Sequence, residues 1–112
     1  MHAFDVLGDP VRRRILELLA EREHASGEVV AVIAAEFGIS QAGISQHLKV
    51  LRDNGFARVT PDGTRRVYAL DTTPLRGIDD WLEPFRVFWP VKLDALATEI
   101  ACGKKQRQRD TE

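Results

Sequence analysis

Phe37-Gly38-Ile39-Ser40-Gln41-Ala42-Gly43-Ile44-Ser45-Gln46-His47-Leu48-Lys49-Val50-Leu51-Arg52-Asp53-Asn54-Gly55-Phe56 reads as a helix with a written start and stop. The Ser40 hydroxyl can accept an unpaired amide of the first turn, and Asn54-Gly55 offers the left-handed residue that ends a helix. Ile44, Leu48 and Leu51 fall on one face at helical spacing. Ala42, Gln46 and Lys49 fall opposite, flanked by Gln41, Ser45 and Arg52. This outer face suits a base-pair edge: Gln can bond adenine in pairs, Ser can bond either base type, and a small methyl can meet thymine. Lys and Arg can hold phosphate.

The next stretch reads as a hairpin. Arg58-Val59-Thr60 and Arg65-Arg66-Val67-Tyr68-Ala69-Leu70 carry strand-forming residues, and Pro61-Asp62-Gly63-Thr64 between them reads as the turn. Arg65 and Arg66 just past the tip suit phosphates or a minor groove better than a core. A helix, a tight turn, a capped helix and a basic hairpin make the order of a winged helix-turn-helix. The expected fold class is therefore mainly α with a small β-hairpin wing.

Upstream, His2 to Leu7 reads as a short first helix and Asp9-Pro10 as the opening of a second, with Pro in the first turn where its missing amide is tolerated. Val11, Ile15, Leu18 and Leu19 form its apolar face. Arg12, Arg13 and Arg14 then point mostly outward, and pairing with Glu17 and Glu21 at helical spacing is preferred over phosphate binding. Ser26 is expected to cap a third helix running to Phe37, with Val29, Val30, Ile33 and Phe37 inward and Gly38 ending it.

Three separated motifs resemble the arsenic-repressor (ArsR-type) family of bacterial transcription regulators. They are Leu7-Gly8-Asp9-Pro10-Val11-Arg12-Arg13-Arg14-Ile15-Leu16, then Ile39-Ser40-Gln41 through His47-Leu48-Lys49-Val50-Leu51-Arg52, then Gly63 through Tyr68-Ala69-Leu70. The resemblance runs over residues 3 to 101. It implies a homodimer paired through the first and last helices, and repression; with the helix and wing on double-stranded DNA, two-fold symmetry would then require a roughly palindromic operator. The DNA-binding set is Ser40, Gln41, Ala42, Ser45, Gln46, His47, Lys49, Arg52, Arg65 and Arg66. For His47, the family's His-Leu pairing implies packing plus one hydrogen bond.

Thr73-Pro74 opens a last helical region in which Leu75, Ile78, Leu82, Phe85, Trp89, Leu93, Leu96 and Ile100 repeat at intervals of three and four, with Trp81 and Phe88 widening the surface. If continuous, this stripe would span roughly 38 Å. With Phe4 and Leu7 of the first helix it makes the expected dimer interface. Pro84 and Pro90 each remove a backbone hydrogen bond, so a break or sharp kink is expected near Pro84 and another near Pro90. The winged unit is placed at residues 1 to 102, with a disordered polar tail from 103 to 112.

Composition bounds the function. At 112 residues the chain is the size of one small domain, and its longest apolar run, Val29 to Ala35, is far too short to span a bilayer. Nothing resembles a signal peptide, and the single Cys102 suits a reducing compartment, so a cytoplasmic protein without membrane contact is expected. The net charge of -1 does not advertise nucleic acid. From Ser40 to Leu70, however, five basic residues stand against two acidic ones, leaving +3 there and -4 elsewhere.

No glycine-rich phosphate loop or Ser-His-acid constellation is visible, so neither enzyme activity nor a cofactor is expected. Metal sensors of the family use a cysteine pair on the helix before the recognition helix, or Asp, His and Glu on the last helix. Here the former has no cysteine and the latter no histidine, so no metal site is expected; His2, His24, His47 and Cys102 are scattered. Two rival readings stand beside the DNA-binding one: a winged-helix protein-interaction module, and a metal- or redox-responsive repressor. The operator, the regulated genes and the inducing signal are not encoded in any motif.

Overall fold

The computed structural model describes residues 1–90 of the chain, which divides into two units at the Trp81–Leu82 junction. Leu93, Leu96, Ile100, Cys102 and the segment 103–112 lie outside the described residues.

In the first unit, α1 (Ala3–Leu7) and α2 (Pro10–Glu21) are followed by a short β1 (His24–Ala25), α3 (Ser26–Phe37) and α4 (Gln41–Asp53). β2 (Ala57–Asp62), β3 (Arg65–Leu70) and α5 (Thr73–Leu82) complete the order. The helix starts are built from local side chains. Asp9 Oδ1 accepts the Val11 N–H at 2.8 Å and the Arg12 N–H at 3.4 Å, directly ahead of Pro10. His2 Nδ1 accepts the Phe4 N–H, and Asp5 in turn accepts the His2 N–H.

α3 departs from expectation at both ends. Ser26 is its first helical residue, and Ala25 occupies the cap position. Its N–H donates to Glu28 Oε1 at 3.0 Å, so a carboxylate one turn in ties down the cap residue, while no side chain among the described residues takes up a first-turn amide in the way expected of the Ser26 hydroxyl. At the far end Phe37 is 39% exposed, while Val29 and Ile33 are fully buried and Val30 is half-buried. The inward stripe therefore stops at Ile33, because Gly38 turns the chain away immediately after Phe37.

α4 ends in a complete Schellman motif. Phe56 N–H donates to Leu51 O at 2.9 Å and Gly55 N–H to Arg52 O at 3.1 Å, with Gly55 at φ 81°. The motif drives Phe56, 1% exposed, into the same core as Ile44, Leu48 and Leu51. Truncating such a Leu would cost about 2–5 kcal/mol, which is ample to pin the helix.

The sheet is antiparallel, in the order β1-β3-β2. The hairpin is longer and its turn tighter than the sequence suggests. Pro61 and Asp62 belong to β2, opposite Arg66 and Arg65, leaving a two-residue loop at Gly63-Thr64. Gly63 takes the positive φ (65°) that primed two-residue turns require. Pro61 is tolerated because β2 is an edge strand. β1 pairs His24 with Tyr68 and Ala25 with Val67, tying the wing to the start of α3.

α5 ends at Leu82, the first residue of the second unit, and a 3-10 helix, Glu83–Phe88, follows with Pro84 in its first turn. Trp89 before Pro90 is extended (ψ 139°), as the residue preceding proline prefers. Both expected interruptions are present, so the apolar repeat from Leu75 is not one continuous helical stripe.

Candidate nucleic-acid interface

α4 buries Ile44, Leu48 and Leu51 and leaves Gln41, Ala42, Ser45, Gln46 and Lys49 exposed, with His47 and Arg52 half-buried at its borders. One helix thus brings together most of the expected DNA-facing set. Ser40 sits at its start, where its Oγ accepts the Gly43 N–H at 3.1 Å, so that oxygen is first of all a cap.

The cations differ in what they already hold. Lys49 Nζ lies 2.7 Å from Asp53, and Arg52 bonds the same carboxylate through two nitrogens at 3.1–3.2 Å. Lys49 foremost, and then Arg52, hold the Asp53 carboxyl below the usual aspartate range. Arg65 reaches Asp62 across the loop at 3.1 Å. Among the described residues the Arg66 side chain has no hydrogen bond or ion pair. Exposed pairs of this kind add little to stability, so exchanging a carboxylate for phosphate is inexpensive at Lys49, Arg52 and Arg65. At Arg66 nothing has to be exchanged.

Strand geometry separates the two arginines. Neighbouring residues on a strand point to opposite faces, so Arg66 shares a face with Tyr68 and with its partner Pro61. Arg65 lies on the other, with Asp62, Thr60 and Arg58. The wing therefore offers one cation per face near its tip. Arg58, exposed and near Asp71, whose carboxyl is held low first by the Thr73 N–H and hydroxyl and then by Arg58, belongs with Arg65 and was not among the residues expected at DNA. Alternation counted back from Arg65 through the true loop would have found it.

The three arginines of α2 are not a loose solvated row. Arg14 forks onto Glu36 of α3 (Nε to Oε1 2.8 Å, Nη2 to Oε2 3.0 Å) and makes a weaker 3.5 Å ion pair with Glu17. Arg13 Nη1 donates to Leu7 O at 2.6 Å. Arg12 donates to Val6 O at 2.8 Å and Asp5 O at 3.0 Å and reaches His47 Nδ1 at 3.3 Å. Of the two expected partners only Glu17 is used among the described residues, because the end of α1 and the flank of α3 lie closer than the next turn.

The expected subunit-contact residues fall in both units. In the first, Phe4 of α1 packs edge-to-face on Trp81 of α5 with ring centres 5.1 Å apart, and the two are 41% and 54% exposed. Beside them opens an apolar groove of about 570 Å³ lined by Phe4, Pro74, Gly77, Ile78 and Trp81 among others. Leu7 and Leu75 are partly buried against the core. In the second unit Leu82 is half-buried, while Phe85, Phe88 and Trp89 are exposed. Among the described residues no cluster of His, Cys, Asp or Glu could hold a metal ion, and no single helix is long and apolar enough to cross a membrane.

A helix-turn-helix whose second helix is capped, anchored and polar on its free side, followed by a β wing, defines a winged helix-turn-helix protein. The family described as helix-turn-helix domain matches residues 7–60. The HTH-type transcriptional regulator Rv2034 of Mycobacterium tuberculosis is 41% identical over 83 residues, 74% of each protein. The transcriptional repressor SdpR of Bacillus subtilis is 33% identical, over 75% of this chain and 89% of SdpR. Among solved structures, an ArsR family transcriptional regulator superposes with TM-score 0.62 at 26% identity, covering 80% of this chain and 88% of its own. A homodimeric winged helix-turn-helix DNA-binding domain from Mycobacterium bovis, described as a possible ArsR-family regulator, gives TM-score 0.51 at 30% identity over 64% of each chain. The chain belongs to the ArsR-type family of helix-turn-helix transcriptional regulators.

Proposed function

We propose that this regulator is a homodimeric repressor acting in the cytoplasm on a roughly palindromic operator, with α4 reading bases and the wing holding the backbone. The observation that carries the reading is α4 itself. Its apolar side is locked by Ile44, Leu48, Leu51 and the Phe56 anchor, while Gln41, Ala42, Ser45 and Gln46 stand in solvent with no structural duty among the described residues. The repressor assignment is supported by the likeness to SdpR. Dimerisation is supported by the homodimeric relative and by the open apolar groove between α1 and α5. Two-fold symmetry would set the recognition helices about 34 Å apart, with half-sites about 10 base pairs apart.

Titrations at two salt concentrations, on the DNA upstream of its own gene and on a scrambled duplex, test the division of labour. Gln41→Ala or Gln46→Ala should cost about 1–3 kcal/mol on the operator with little loss on scrambled DNA. Arg66→Ala should weaken both duplexes and lower the salt slope by about one unit for each phosphate left without its cation. Equal losses on both duplexes would remove the glutamines from base reading. An unchanged salt slope would take the wing off the phosphates. Zinc, cadmium and arsenite should leave the affinity unchanged, since α3 carries no cysteine and the chain from Thr73 onward no histidine; tenfold weaker binding with a stoichiometric metal would overturn that reading.

A further inference from the structure

We propose that Arg12 is a positioning residue that holds the His47 ring in the tautomer protonated on Nε2, so that the recognition helix presents an N–H donor to a DNA phosphate oxygen. The phosphate bond rests on the DNA-binding reading above; the ring assignment does not. Arg12 is itself held firmly, because its Nε and Nη2 donate to the carbonyls of Val6 and Asp5 at the end of α1. That leaves Nη1 at 3.3 Å from His47 Nδ1. A guanidinium has five N–H donors, no acceptor, and does not give up its proton in a protein. Nδ1 must therefore be the acceptor, and a neutral imidazole that accepts at Nδ1 carries its hydrogen on Nε2.

The surroundings agree with a neutral ring held this way. An imidazolium would turn a second N–H toward Nη1, and two donors cannot share a hydrogen bond. Asp9 spends Oδ1 on the backbone N–H groups of Val11 and Arg12 and, among the described residues, makes no hydrogen bond to the ring. Nε2 makes no hydrogen bond within residues 1–90, and it is not among the buried unpaired atoms, so it faces water. His47 is half-buried, beside exposed Gln46 and at the border of the α4 face that carries the base-reading side chains. The flanks of a helix in a groove meet the walls of that groove, and those walls offer only oxygen acceptors. A single outward donor fits them.

The test uses full-length protein labelled with ¹⁵N in its imidazoles, at about pH 8 where histidine is neutral, with His47 signals assigned by their loss in His47→Gln. Wild type should show a pyridine-type Nδ1 and a pyrrole-type Nε2; a protonated Nδ1 overturns the proposal outright, whatever any mutant does. Arg12→Met should mix the tautomers and weaken operator binding about two-fold per subunit, since only the rings protonated on Nε2 can donate. His47→Phe removes the bond outright and should weaken binding about five-fold per subunit, the usual net value of one hydrogen bond, and the double variant no further. Independent losses in the double variant would mean that Arg12 does not act through His47. Circular dichroism checks that the variants are folded, and the wild-type spectrum decides the ring assignment even if Arg12→Met is not. If wild type shows the expected tautomer but binds no duplex, the DNA reading fails and takes the phosphate bond with it.

Discussion

Asp9 shows how one side chain can serve both fold and electrostatics. Burial works against its charged form, but the Val11 and Arg12 N–H groups, with the Arg12 charge beside them, outweigh it and leave the carboxyl below its ordinary value. A depressed carboxylate stabilises the fold above the unfolded value and loses that contribution as pH falls through the folded one. Asp9→Ala should therefore cost about 1 kcal/mol near neutrality. Its deficit against wild type in urea midpoints should shrink below about pH 4; a deficit that stays constant to about pH 2 would show that the charge contributes nothing. On the wing, Asp62→Ala frees Arg65 from its 3.1 Å partner. Binding to scrambled DNA should then strengthen modestly at low salt, with a steeper salt slope. A weaker affinity would mean that the pair orients Arg65 rather than occupying it.

At the scale of elements, α4 and the wing each depend on one left-handed residue. Gly55 has open space where a Cβ would go, so a substitution there meets backbone strain and no collision. Gly55→Ala should cost about 1–2 kcal/mol, the usual penalty of a left-handed residue with a side chain, and Gly55→Asn distinctly less. Equal thermal shifts for the two would point to another cause. β1 acts differently. It is only two residues long, yet it joins β3 to the start of α3 through His24 and Ala25. Ala25 is also the α3 cap, whose N–H is bound by Glu28, a carboxyl held below its usual range first by that N–H and then by its neighbours Arg22 and His24. Glu28→Ala should therefore loosen the helix start and the wing root together, read as faster amide exchange at both Val29 and Tyr68. Exchange that rises in α3 alone would separate them.

For the whole molecule the question is how the apolar surface of α1 and α5 is covered. Phe4 and Trp81 expose 41% and 54% of their surface beside an apolar groove, which is costly to leave in water. A second copy is the proposed cover. Phe4→Glu would bury an unpaired carboxylate at such an interface, at a cost of several kcal/mol. Light scattering at micromolar concentration should then report monomers where wild type gives dimers. A wild-type mass already at one subunit, or a variant mass unchanged at two, would remove this face from the interface.

What the sequence alone determined is whatever is local in the chain. The Ser40 cap, the Asn54-Gly55-Phe56 stop and the Ile44-Leu48-Leu51 stripe place α4 within its observed bounds, because capping and helical spacing involve residues within a few positions of one another. Asp9-Pro10 and the breaks at Pro84 and Pro90 were legible for the same reason. Tertiary structure decided the rest. β1 has no periodicity to read and exists only because β3 is there to pair with it. The hairpin loop shortened to Gly63-Thr64 because pairing with Arg65 and Arg66 drew Asp62 and Pro61 into β2. Arg12, Arg13 and Arg14 found their main partners on α1, α3 and α4, with only the weaker Arg14–Glu17 pair left on their own next turn, since a long cationic side chain binds the nearest acceptor that packing supplies. The split of Arg65 and Arg66 onto opposite faces follows from the strand pleat once the register is set, and the register belongs to the folded sheet.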